Sequence, residues 1–83
     1  MAYSDFAIAD GALAGEQLYR LGLVYSTGQG VCMDLVEAHK WFNLAALRGF
    51  AAAKTCRKEV AEQMTSSQIA EAQRAAREWL RVR

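Results

Sequence analysis

Eighty-three residues with a formal net charge of +1, no proline and two cysteines allow one domain with a small core. So even a charge balance selects neither a nucleic acid nor a membrane as partner, and two cysteines in a short chain do not make a disulfide framework. Cys32 and Cys56 read as reduced thiols of a cytosolic protein.

Residues 1–11 lack the basic start and long apolar stretch of a secretory signal. No segment of the chain approaches the ~20 apolar residues that cross a bilayer. A cytoplasmic location is the expectation. Ser4 or Asp5 can cap a short helix that Gly11 ends, leaving Phe6 and Ile8 to cover the next element; a frayed arm is the other reading.

A helix is predicted over residues 12–26, because Leu18, Leu21, Gly22 and Tyr25 fall at the spacing of one helical face. Tyr19 and Leu23 lie to one side of it. Thr27, Gly28, Gln29 and Gly30 then break the helix. Val31 is the aliphatic residue of the loop and is expected to turn inward. Asp34 is placed to cap a second helix over 35–48, and Gly49 to close it.

On that second helix Ala38, Trp41, Phe42, Ala45 and Ala46 repeat the apolar stripe. Gly22, Ala38, Ala45 and Ala46 let the two helices approach closely. Trp41, Phe42 and Tyr25 supply the bulk between them. Leu44 and Leu47 form a second apolar side, which predicts burial against a third helix. His39 falls off the aromatic face and is expected in solvent.

The third helix is predicted over 50–64, with Ala53, Cys56, Val60, Ala61 and Met64 on one stripe. Thr65 and Gln68 have the spacing of a capping box. A fourth helix then runs to residue 82, with Ile69, Ala72, Ala76, Trp79 and Leu80 inward and Gln68, Glu71, Arg74, Arg77, Glu78 and Arg81 outward.

Leu21-Gly22, Tyr25, Gly28-x-Gly30-Val31, Asp34, Ala38, Trp41-Phe42, Ala45-Ala46 and Gly49 together resemble the Sel-one-like repeat, a relative of the tetratricopeptide repeat. The likeness covers one whole repeat, roughly residues 14–49. It implies an all-α, right-handed α/α superhelix (solenoid) fragment of about four antiparallel helices, used as a non-catalytic scaffold or adaptor for a protein or peptide partner. On this reading residues 1–11 are an arm, 12–49 the repeat and 50–83 a capping helix pair with Trp79 as its core anchor.

The departures from the family pattern are specific. Cys32 stands where relatives commonly carry proline. Arg57-Lys58 replace the Leu-Gly of a second repeat, Ala61 replaces its tyrosine, and no Gly-x-Gly-Val loop follows. The second repeat is degenerate, and residues 64–79 resemble the terminal segment of many bacterial members. Because the first helix of each pair lines the concave side in such arrays, Tyr19 and Leu23 are the candidate partner contacts; packing against the N-terminal arm is the other reading. A missing preceding repeat implies weak homodimerisation through the first helix.

Catalysis finds little support. A metal site needs several spaced ligands, and one histidine with two distant cysteines supplies neither CxxC nor HxxxH. Cys32, His39 and Asp34 lie near one another in sequence, without an oxyanion hole or substrate pocket to complete a nucleophilic site. Gly28-Gln29-Gly30 lacks the lysine and preceding strand of a phosphate loop. No catalytic residue, metal or cofactor is expected.

Residues 54–83 carry seven cations, Lys54, Arg57, Lys58, Arg74, Arg77, Arg81 and Arg83, against Glu59, Glu62, Glu71 and Glu78, a net +3 that leaves the rest at −2. Arg74, Arg77 and Arg81 form one helical row able to touch phosphates, which makes a nucleic-acid face the alternative. Interleaved Glu71 and Glu78 favour helical charge pairs instead.

Overall fold

The computed structural model describes residues 14–82, and among these the chain is all-helical. The helices are α1 (Gly15–Thr27), α2 (Leu35–Leu47), α3 (Ala52–Ala61) and α4 (Ser66–Arg81). The arm at 1–11, with Ser4, Asp5, Phe6, Ile8 and Gly11, lies outside the described residues, as do Ala12 and Leu13 of the first predicted helix.

Local chemistry sets the helix ends. At the start of α1 the Ala14 backbone N–H donates to Gln17 Oε1 at 2.8 Å. Gly28 ends this helix in the left-handed conformation, φ 75°, and its N–H donates to Val24 O at 2.9 Å. Asp34 begins α2, with Oδ1 accepting from the Glu37 N–H at 3.1 Å.

The close of α2 is a Schellman turn. Gly49 (φ 87°) donates its N–H to Ala46 O, and Phe50 donates to Ala45 O. This takes Phe50 out of the third helix, which starts only at Ala52 and stops at Ala61 rather than spanning 50–64. Thr65 and Gln68 make both hydrogen bonds of a capping box at the head of α4.

α1 and α2 form an antiparallel hairpin. Tyr25 O, near the end of α1, accepts from the Asp34 N–H at 2.9 Å just before α2. In mid-helix Gly22 lies under the Phe42 ring, so close that a Cβ there would be 2.5 Å from Cδ1 and Cε1. At the far end Gly15 sits beneath Phe50, where a Cβ would be 2.9 Å from the Phe50 Cβ. Ala38 and Ala45 are fully buried along the same seam, Ala46 half-buried.

α2 is the centre of the molecule. It packs against α1, α3 and α4, while α3 and α4 lean on it rather than on each other. Phe42 faces α1, Asn43 faces α3 through the Arg57 guanidinium at 2.6 Å, and Trp41 faces α4. Leu18, Phe42 and Leu44 are the largest fully buried side chains.

Five sequence expectations are corrected by this arrangement. Trp41 does not fill the α1–α2 seam; its ring meets Trp79 edge-on, centroids 5.8 Å apart. Val31 does not plug the hairpin but is 39% exposed, because its carbonyl rather than its side chain turns back toward Gly28. Leu47 is 64% exposed, since the chain turns away at Gly49 before a described element covers it, and Leu80 is exposed near the end of α4. His39, placed in solvent by its offset from the aromatic stripe, is 3% exposed, because a second side of α2 is covered by α3.

Candidate functional site

Side chains named for chemistry do not converge. Cys32 is exposed on the loop, Asp34 is committed to capping α2, and His39 is buried within that helix. Among the described residues no three of His, Cys, Asp and Glu gather as metal ligands. None of their helices is long and apolar enough to cross a membrane.

Tyr19 and Leu23, the candidate partner contacts, are half-buried and packed against the core. The Tyr19 ring lies 5.8 Å from Phe42 and 4.9 Å from Phe50, centroid to centroid, and its hydroxyl accepts from Cys56 Sγ at 3.8 Å. That Cys56 contact, followed by burial, pushes the Tyr19 hydroxyl up from its ordinary value. Tyr19 therefore joins α1 to α3. The reason is Phe50: leaving the helix at the Schellman turn, it folds back over Gly15 and Tyr19.

The surface that α1 does offer lies on another side. Gln17, Arg20, Leu21 and Val24 line a shallow groove of about 200 Å³. Leu21 and Val24 are half-buried, while Arg20 pairs with Glu16 at 2.7 Å. Its lining joins two apolar side chains, Leu21 and Val24, to two polar ones, Gln17 and Arg20.

α4 turns its charged side outward. Glu71, Arg74, Ala75, Arg77, Glu78 and Arg81 line a wide surface concavity of about 610 Å³. Within it Arg81 makes a two-point ion pair with Glu78, at 2.6 and 3.2 Å. One cation of the row is thus answered within its own helix, and Glu71 lies beside Arg74 and Arg77. The row is a mixed-sign surface, not a continuous basic stripe.

The remaining motif residues serve the hairpin. Leu21 and Tyr25 pack against the core, Gly30 takes φ 77° in open space, and Trp79 meets both the core and Trp41. Trp41 is oriented further by Nε1 donating to Glu37 Oε1 at 3.0 Å, with Lys40 Nζ 4.1 Å from its ring centroid.

Gly15 escaped the sequence reading, because its contact with Phe50 depends on the Schellman turn. His39 has Nδ1 buried without a hydrogen-bond partner, and burial together with the Arg57 charge pushes it down from its ordinary value. No family model, curated protein or solved structure matches this chain.

Proposed function

We propose that the protein is a non-catalytic interaction scaffold, an adaptor built on one Sel-one-like repeat and a degenerate C-terminal cap in a right-handed α/α solenoid fragment. The observation that carries this reading is Gly22 beneath the Phe42 ring. The pair occupies two signature positions of the resemblance and uses them as an α/α repeat does, a small residue on one helix receiving a ring from the next. Sites rather than folds do chemistry, and the repeat residues here are spent on packing.

The partner is a protein or peptide, and its contact is the α1 groove of Gln17, Arg20, Leu21 and Val24 rather than Tyr19 and Leu23. The same helix would carry a weak homodimer. The working compartment is the cytoplasm.

Affinity capture from the native cell, wild type beside Arg20→Glu/Val24→Lys, tests the proposal. The wild type should retain a protein that the variant loses while keeping its helical circular dichroism. No retained protein, or equal retention by both, rejects it. Light scattering over a concentration series checks the dimer: an average mass that rises with concentration supports it, and a constant monomer mass rejects it.

A further inference from the structure

His39 is the single histidine of the chain. It lies on α2, 3% exposed, with Nδ1 buried and without a hydrogen-bond partner. One turn further along the same side of α2, Asn43 Oδ1 accepts from Arg57 Nη1 at 2.6 Å. That bond ties Arg57 of α3 to the side of α2 that carries His39 one turn earlier, and its charge acts on the imidazole.

The rest of the seam is thin. α3 has ten residues, and Ala53 and Val60 are its buried ones. Its other side-chain tie is the Cys56–Tyr19 contact to α1 at 3.8 Å. As the shortest of the four described helices it has the least backbone to hold it closed, the property of an element that opens locally.

Among the described residues, the charged groups around His39 are engaged elsewhere or turned to solvent: on α3, Lys54, Lys58, Glu59 and Glu62 are exposed, and Glu59 acts on Tyr19. On its own helix Glu37 and Lys40 pair with each other at 3.1 Å and both engage Trp41. From α1, Arg20 pairs with Glu16 in solvent, and the Tyr19 hydroxyl is held by Cys56. α4 exposes Glu71, Arg74, Arg77, Glu78 and Arg81 on its outer side. From α3, Arg57 acts on the imidazole, and it is a cation.

A neutral imidazole can stay in this seam; a protonated one would be a buried charge beside another of the same sign. Once α3 moves off, the ring meets water and takes a proton at its ordinary value near ~6.5. We propose that the α2–α3 seam is an acid-sensitive latch in which protonation of His39 releases α3 from α2 while the α1–α2 hairpin stays closed. Burial and the Arg57 charge hold His39 below its ordinary value, the direction such a latch requires. The release uncovers the polar stripe of His39 and Asn43 and frees the Arg57 side chain.

The test is amide hydrogen exchange on the full chain from pH 7.0 to pH 5.5, corrected for the intrinsic pH dependence of exchange. This window lies above the usual carboxylate range. Opening of the α3 amides should rise by up to about tenfold per pH unit below ~6.5, with α1 unchanged. His39→Leu should flatten the response, and so should His39→Gln, closer in shape and equally unable to titrate. A proton NMR titration of the single imidazole should show a midpoint below 6.5. Flat α3 protection in the wild type, a slope that survives both substitutions, an imidazole titrating at or above 6.5, or equal loss in all four helices would each overturn the latch.

Discussion

The Phe42 ring occupies the volume that a side chain at Gly22 would need: an added Cβ would stand 2.5 Å from two of its carbons. Ring and glycine set the separation of α1 and α2, and Ala38 and Ala45 keep the same close approach along the seam. Everything else in the fold is arranged around the helix that carries this ring.

Leu44 and Leu47 separate burial from composition. They are three residues apart on α2, yet Leu44 is 1% exposed and Leu47 is 64% exposed. Leu44→Ala should cost about 2–5 kcal/mol, as large-to-small core changes do. Leu47→Ala should fall within about 0.5 kcal/mol of wild type. Urea titrations read both, and comparable losses would mean that something covers Leu47.

The Trp41–Trp79 contact ties the fourth helix to the second. Edge-on aromatic pairs contribute about 0.5–1.5 kcal/mol beyond their buried area. A double-mutant cycle with Trp41→Leu and Trp79→Leu should recover a coupling of that size. A coupling near zero would remove the pair as the anchor of α4.

Stability should also depend on pH through His39. Its folded-state pKa is lowered, first by burial and then by Arg57, so the unfolded chain binds the proton more readily. The contribution is complete above the unfolded value of ~6.5 and is lost as pH falls through the folded one. The slope is at most about 1.4 kcal/mol per pH unit. Urea midpoints at pH 7.0, 6.0 and 5.5 should fall for the wild type and stay level for His39→Leu.

What the sequence reveals is what short-range chemistry decides. Gly28, Gly49, Asp34 and the Thr65–Gln68 pair mark helix ends because each satisfies its own neighbours' backbone groups. The Gly22–Phe42 fit is legible because a glycine in a helical stripe needs a bulky neighbour to justify it. The sides of α2 are another matter. A stripe pattern points to one partner, and this helix has three, so His39 lies inside although it is off the aromatic face.

Tyr19 and Leu23 are half-buried, and Tyr19 owes part of its cover to Phe50. Phe50 reaches Tyr19 because the chain folds back after the Schellman turn at Gly49, and where it lands is longer-ranged than any spacing rule. The proposed partner groove on α1 lies on the side of Gln17 and Val24.

The most direct test of the central claim is a double-mutant cycle of Gly22→Ala with Phe42→Leu, followed by urea denaturation. Gly22→Ala alone should destabilise: overpacking costs about 1–3 kcal/mol, against a helix-propensity gain of at most about 1 kcal/mol. In the Phe42→Leu background the ring is gone, so the same change should be neutral or stabilising. Additivity of the two substitutions within about 0.5 kcal/mol would contradict the account.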